Sequence, residues 1–301
     1  MQDKLLVTII CLCYNHEKFV VESLDSVLKQ DYNAIELIIV DDYSTDNSKK
    51  TIEKWGANYP QFQFIANETN LGNTKSFNKA LKLAKGEFII DLAADDVLLP
   101  NCVSLQVQAF KESNFKNLGI VYGNAELIDE NGTFESYFFP VNSSKETTEK
   151  RPVGDIYLSI LSGGNSFCSV SSMTKKSVFD DLKGYDESLA YEDLDFWIRV
   201  SRNYDIDFID SILVQKRILK NSLISKFYLK NDAHAKKINN STFLLLQKAI
   251  LLNKTKEEHK AILKRIHFEM ILSFKTSNLN LLFRYTLIEI RQRIRIFFIK
   301  S

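Results

Sequence analysis

Leu5 to Cys13 (LLVTIICLC) is an unbroken apolar, β-branched run, which predicts a strand buried on both faces of a parallel sheet. Phe19, Val20, Leu24, Val27 and Leu28 then recur at helical spacing. Ala34 to Val40 (AIELIIV) predicts a second buried strand, with Ser44 or Thr45 placed to cap a helix running toward Trp55. Phe62 to Ala66 reads as a short third strand, broken at Asn70-Leu71-Gly72, and a helix over Lys75 to Lys85 is expected to end with Gly86 at its C′ position. Glu87 to Leu92 predicts the fourth strand, Pro100 opens another helix, and Leu118 to Tyr122 predicts the fifth strand. Strand and helix alternating over residues 5–125 predict an open, doubly wound α/β sheet.

The character changes at Asn124, where AELID, a turn at Glu130-Asn131-Gly132 and TFESYFF alternate as a hairpin would. Residues 153–218 mix short strands with helices at Val153 to Leu161 and Glu192 to Arg202, and complete the same domain. Residues 222–301 lack both glycine and proline and carry a helical pattern. The expected organisation is therefore an α/β domain over 1–221 and a helical C-terminal extension over 222–301.

Charge sharpens that division. The 301 residues have a net charge of +1, but residues 1–213 hold 20 Lys+Arg against 33 Asp+Glu, a net −13, and residues 214–301 hold 19 against 5, a net +14. An acidic front predicts a site that manages cations, and a basic back predicts contact with something anionic. Cys11, Cys13, Cys102 and Cys168 form no CxxC pair and sit in strand-like surroundings, which fits buried thiols in a reducing cytoplasm. Residues 1–13 have neither a basic leader nor a cleavage site, no uncharged run is long enough to span a bilayer, and the sequon at Asn67 is expected to be incidental. No nucleic-acid-binding module is recognisable in the basic tail.

In doubly wound sheets the ligand lies outside the carboxyl ends of the strands. Those ends here read Tyr14-Asn15, Asp41-Asp42, Asn70-Leu71-Gly72 and Asp95-Asp96. No glycine follows the first strand, so neither a dinucleotide fingerprint nor a Walker loop is present to hold phosphates on backbone amides. Adjacent carboxylates repel a diphosphate, and the bridge that reconciles them is a hard divalent cation, Mg²⁺ or Mn²⁺. Each piece also has a plainer reading, since Asp41-Asp42 can end a strand and cap a helix, and Asp95-Asp96 before Pro100 can form an Asx turn. Convergence of acids on neighbouring ends of one sheet favours the ligand site.

These residues, in order, carry a resemblance. Val7 to Asn15, Ile38 to Asp46, Asn70-Leu71-Gly72 with Asn78, Ala84 to Ile89, Ala94-Asp95-Asp96 with Pro100, Lys183 to Glu187, Glu192 to Arg199 and Arg217 resemble the family 2 glycosyltransferases of the GT-A fold over about residues 5–225. The resemblance implies a mostly parallel sheet with a nucleotide-binding half and an acceptor half, and inverting transfer of a sugar from a nucleotide diphosphate, a UDP-sugar, to an acceptor hydroxyl in bacterial surface polysaccharide synthesis. By position it implies nucleotide contacts at Leu12, Tyr14, Asn15, Asp42, Gly72 and Asp95, with Asp42 toward the base and Asp95 toward the ribose or the metal. It implies Asp96 as metal ligand and Asp193 as general base. The sugar and acceptor side would include Asn165, Glu192 and Trp197, with Trp197 as readily core as sugar floor. Glu192-Asp193 also suits a helix N-terminus for stability alone, and Asp195 with Arg199, four apart, reads as a surface pair.

Two positions depart from the family pattern: Ala93 stands where many members have an aspartate, and Leu219 where many have a histidine. They keep open an alternative, a sugar-nucleotide-binding or scaffold protein of the same fold without turnover. His16, His234, His259 and His267 show no metal spacing and read mostly as surface residues. In the last 21 residues Arg284, Arg291 and Arg295 fall opposite Leu287, Ile290, Ile294, Phe297 and Phe298 on a helix, which predicts peripheral membrane contact through 281–301. The equal alternative is packing on the catalytic domain or in a homodimer. A cytoplasmic protein at the inner membrane face, meeting a glycan or lipid-linked glycan acceptor and no nucleic acid, is the resulting expectation.

Overall fold

A computed structural model of the chain describes residues 5–163, 167–191, 193–219, 228–230 and 232–299. Two compact units emerge: one of residues 1–154, 167–185 and 204–218, the other of residues 155–166, 186–203 and 219–301. The units interleave along the chain.

The first unit is built on a nine-stranded sheet. Its strands are β1 (Val7–Cys13), β2 (Ile35–Asp41), β3 (Gln63–Ala66), β4 (Phe88–Ala93), β5 (Val97–Leu98), β6 (Leu118–Ile128), β7 (Phe134–Tyr137), β8 (Ser172–Lys175) and β9 (Asp205–Arg217). They run in the order β3-β2-β1-β4-β8-β6-β9-β5, with β7 on β6. β3, β2, β1 and β4 are mutually parallel, β8 is antiparallel to both β4 and β6, and β6 and β9 are parallel. Burial of Val7, Ile9, Ile10 and Cys11 puts β1 at the centre of the core, as its unbroken apolar run demands. The helices of this unit are α1 (Val20–Leu28), α2 (Ser48–Gly56), α3 (Asn73–Leu81), α4 (Cys102–Glu112) and, after α5 of the other unit, α6 (Lys176–Leu182).

Three local expectations are corrected. Gly86 does not end a helix: α3 stops at Leu81, and a Cβ on Gly86 would lie 2.5 Å from the Thr8 backbone nitrogen, so the glycine serves close approach of the β4 entry to β1. The fifth predicted strand does not stop before Asn124, because β6 runs through it with register shifts and the buried Asn124 carboxamide takes up the backbone N–H and C=O of Phe139 at 2.9 Å each. Ser44 and Thr45 do not cap α2; they bond Asn15, and the Ser48 N–H at the first turn goes to Asp46 Oδ1 at 2.9 Å. The hairpin at 129–133 is present, with Asp129 Oδ1 accepting the N–H groups of Asn131 and Thr133.

The second unit is helical: α5 (Tyr157–Ser162), α7 (Asp193–Ser201), α8 (Ala233–Leu252), α9 (Lys256–Lys275) and α10 (Leu279–Phe298). Thr255 and Glu258 form a capping box at the start of α9. Glu258 also accepts from Arg202 at 2.7 Å, and the Arg202 guanidinium lies 4.1 Å from the Tyr157 ring centroid, so Arg202, just past the end of α7, joins α5 to α9. All four cysteines are free and buried, as small hydrophobes, and burial pushes each thiol up in pKa. Among the described residues no helix is long and apolar enough to cross a membrane.

Candidate active site

The strand order reverses at β1, between β2 and β4, which is where an open α/β sheet leaves a crevice at its carboxyl edge. Register places the ends side by side: Cys13 pairs with Asp41, Leu12 with Ala93, and Asp41 with Ala66. Beyond those pairs the chain leaves the sheet as Tyr14-Asn15 after β1, Asp42-Tyr43 after β2, and Asp95-Asp96 after β4. Leu12 is the one half-exposed residue of β1, between buried Cys11 and Cys13.

Hydrogen bonds zip the first two exits together. Asn15 N–H donates to Ser44 Oγ at 3.0 Å, Thr45 N–H donates to Asn15 Oδ1 at 2.7 Å, and His16 N–H donates to Ser48 Oγ at 2.9 Å. Glu17 Oε2 accepts from the Asn47 backbone at 2.8 Å, while Glu17 N–H donates to Asp46. Burial raises the Asp46 pKa, but the bonds from Ser48 and from the Glu17 N–H outweigh it and hold the carboxyl below its ordinary value. The zipper fixes Asn15 and Tyr43 in the left-handed region, at φ of 60° and 64°. Asparagine tolerates that region, whereas a tyrosine there is strained and marks a shape the surroundings impose. Tyr14 and Tyr43 are left 45% and 52% exposed beside the strand ends.

Asp42 is buried and its carboxylate organises the next loop. Oδ1 accepts from Asn67 Nδ2 at 2.9 Å, the Leu71 N–H at 2.9 Å and Ser76 Oγ at 2.8 Å; Oδ2 accepts the Gly72 N–H at 2.8 Å. Gly72 has φ 84° and ψ 163°, a region open essentially to glycine alone, which is why this position at the start of α3 has no side chain. Asn67 is itself buried, donating to Asp42 and Ser76 and accepting from Lys79. Its amide is committed to this network, as the incidental reading of its sequon requires.

At the end of β4, Ala93 is exposed and Asp95 is half-buried with its Oδ1 3.6 Å from His16 Nδ1, while Asp96 is buried and its Oδ1 accepts the Arg217 N–H at 2.9 Å. Burial and the neighbouring Asp95 carboxylate raise the Asp96 pKa well above the carboxylate range, against the opposing pull of the Arg217 N–H and the Lys216 and Arg217 charges. The buried Arg217 guanidinium holds the surrounding loops: it donates to the Asp95 and Asp129 carbonyls at 3.0 Å and to Glu22 Oε2 at 2.6 Å, and lies 4.8 Å from the Phe19 ring centroid. Among the described residues no three His, Cys, Asp or Glu side chains come together as a metal cage. Two adjacent carboxylates, one with its charge disfavoured, fit a cation that takes most of its ligands from water and phosphate oxygens.

In the second unit Asp193 opens α7, half-buried, with Oδ1 accepting the Leu194 N–H at 2.6 Å, and Trp197 follows one turn later, also half-buried. Asp195 and Arg199 do pair, at 2.7 Å, but Asp195 is buried, so the pair is not a surface one. Asn165 and Glu192 lie outside the described residues. His259 is buried against Gln292 and His16 stands at the strand ends, so neither is the surface histidine the spacing alone implied.

Tyr43, Asn67, Ser76 and His16 carry no role that the sequence alone reveals. The signal for Asn67 is a polar residue just past β3, beside β2, whose end carries Asp41-Asp42. Tyr43's backbone conformation has no signature in one sequence.

Residues 8–179 match the profile of Glycosyl transferase family 2. The uncharacterized glycosyltransferase MJ1057 of Methanocaldococcus jannaschii is 32% identical over 220 residues, 72% of either chain. Chondroitin synthase of Escherichia coli is 28% identical over 241 residues, 78% of this chain and 32% of that protein, so the chain spans about a third of such longer relatives. In structure it is similar to S. aureus TarS 1-349 in complex with UDP-GlcNAc (TM-score 0.69, 20% identity, 93% and 79% of the two chains). It is also similar to the mannosyltransferase PcManGT of Pyrobaculum calidifontis in complex with GDP-Man and Mn²⁺ (TM-score 0.61, 17% identity, 92% and 73%). With its doubly wound sheet of GT-A type, the chain belongs to glycosyltransferase family 2.

Proposed function

We propose that the chain transfers a sugar, with inversion, from a UDP-sugar to a hydroxyl of a glycan or lipid-linked glycan acceptor in surface polysaccharide synthesis. The observation that carries the reading is the reversal point of the sheet, where exposed Tyr14 and Tyr43, the Asp42-anchored loop and Asp95-Asp96 meet. Tyr14 and Tyr43 offer faces for a planar base. Asp42 Oδ1 is filled by three donors, but Oδ2 takes one, and a carboxylate oxygen keeps room for a further N–H such as that of uracil. Leu12, Asn15 and Gly72 shape the same pocket edge, and Asp95 reaches the ribose. Asp96, with Asp95, would hold Mn²⁺ or Mg²⁺, which when bound would offset the charge of the departing diphosphate. Asp193 takes the acceptor proton as general base, and Asn165, Glu192 and Trp197 serve the sugar and acceptor side.

UDP chemistry is favoured because the similar WfgD of E. coli is named a UDP-Glc transferase to a diphosphoundecaprenol-linked GlcNAc, and TarS is seen with UDP-GlcNAc. A lipid-linked acceptor places the protein in the cytoplasm with peripheral membrane contact through 281–301; a homodimer is the competing use of that tail. The second reading, a nucleotide-sugar binder without turnover, draws on Ala93 and Leu219, which supply no metal ligand. A thermal-shift panel of UDP- and GDP-sugars with Mn²⁺, followed by a product assay on the best donor, decides: stabilisation by UDP-sugars with transfer or hydrolysis supports the first reading. Stabilisation without product supports the second, and stabilisation by none refutes both.

A further inference from the structure

The outer face of the last two helices has a composition that burial does not explain. α10 packs inward through Leu281, Tyr285, Ile288 and Gln292, and Gln292 Oε1 lies 2.8 Å from Nδ1 of the buried His259 on α9. On the opposite side Phe283, Leu287, Ile290, Ile294 and Phe297 are 40% to 81% exposed. At about 100° per residue these five lie within about 40° of one line along the helix. Arg284, Arg291 and Arg295 fall about 80–120° to one side of that line and Arg293 about 80° to the other. The arginines therefore rim the apolar stripe, and it is the packed face, not they, that lies opposite it. On α9, joined to α10 by the turn Thr276–Asn278, Phe268, Ile271 and Phe274 are exposed on the face that also carries Lys260, Lys264 and Lys275.

We propose that the α9–α10 hairpin lies on an anionic lipid surface, its apolar stripe in the boundary between headgroups and acyl chains and its basic rim on the headgroups. This rests on the reading above, in which a lipid-linked acceptor gives such a placement its use. Charge selects the occupant. Residues 254–299 hold ten Lys and Arg against four Glu, and three of those, Glu258, Glu269 and Glu289, are engaged by Arg202, Arg265 and Arg293. A second copy would bring the same basic rim against itself, whereas an anionic bilayer complements it. Long arginine and lysine stems bury against the stripe while their charged ends reach phosphate.

Deleting α10 would strip Leu281, Tyr285 and Ile288 from the core of the second unit, so the test uses exposed positions in the full chain. Co-sedimentation with phosphatidylcholine vesicles, and with vesicles containing phosphatidylglycerol, at low and high salt compares the wild type with I290S/I294S/F297S and R291Q/R295Q. The wild type is expected to pellet with the anionic vesicles at low salt and to partition at least about tenfold less to neutral vesicles or at high salt. The triple variant loses about tenfold or more, and the double arginine variant about 25-fold, at roughly fivefold per arginine. Circular dichroism and UDP binding on the same samples separate the two readings: vesicle binding without UDP binding upholds this surface and counts against the nucleotide site. Equal binding to neutral and anionic vesicles, undiminished binding by the triple variant, or a wild-type dimer that ignores vesicles and is split by the stripe substitutions overturns the proposal.

Discussion

Asp96 Oδ1 accepts the backbone N–H of Arg217 at 2.9 Å, and the Arg217 side chain returns to the Asp95 carbonyl at 3.0 Å. The acidic pair at the end of β4 is thus positioned by the last residue of β9, 121 residues later, and the guanidinium that does so is locked by Glu22 and the 129–130 turn. Orientation of the proposed metal ligand is built into the fold of the first unit before any ligand arrives.

Asp96→Asn keeps the acceptor for Arg217 and removes a buried charge. The folded Asp96 carboxyl titrates above its unfolded value, so the stability it contributes is complete below about pH 4 and is lost as pH rises through neutrality. Chemical denaturation in a chelator should show wild-type stability falling between about pH 5 and pH 8, and Asp96→Asn should remove that slope and gain about 1–2 kcal/mol at neutral pH.

Asp42→Asn replaces one oxygen by an NH₂ that faces donors. Breaking part of a buried network of four accepted bonds should cost about 2–3 kcal/mol and loosen the 67–72 loop. Gly72→Ala should cost about 1–3 kcal/mol through backbone strain alone, since the space around it is open. Urea midpoints and UDP titrations on both variants check this: each should lose affinity as well as stability, and stability lost with unchanged affinity would detach the loop from the site.

Asp193→Asn should keep donor binding and lower transfer by about 10²-fold or more, as removal of a positioned general base does. Glu192→Gln should change transfer far less. Equal losses in the two variants would assign the pair to stabilising the start of α7.

Acid should unfold the second unit early. Burial raises the Asp186 pKa, but hydrogen bonds from Lys248 and Ser188 outweigh it and lower the carboxyl to about 2; Glu258 is likewise lowered, against its burial, by Arg202 and the N–H groups of Lys254 and Thr255. Both contributions are present above about pH 4 and lost as pH falls through the folded values. After allowance for solvent screening, Asp186→Asn should flatten the acid limb of a pH–stability curve by about 1 kcal/mol.

Much of this was legible because it is local. Unbroken runs at β1 and β2 name central parallel strands, and the acids at 41–42 and 95–96 fall at strand ends by counting alone. What escaped depends on partners distant in sequence. Gly86 looked like a helix stop because nothing near it reveals Thr8. Asn124 looked like a strand end because its partner, Phe139, comes 15 residues later. Asn78, which holds both the N–H and the C=O of Tyr185 at 2.9 Å, is visible as a motif residue but not as the clamp on a segment 107 residues away. Sequence alone shows two faces of α10 and puts its arginines opposite its apolar residues, whereas the packed face at Leu281, Tyr285 and Ile288 makes a third.

The central claim, that the strand-end cluster binds a nucleoside diphosphate through a divalent cation, is tested most directly by calorimetric titration of UDP into the wild type and Asp96→Asn, with Mn²⁺ and with chelator. The account predicts binding by the wild type that weakens at least about tenfold in chelator, and Asp96→Asn binding weakly whether or not Mn²⁺ is present. Affinity for UDP that is the same in all four titrations would contradict it.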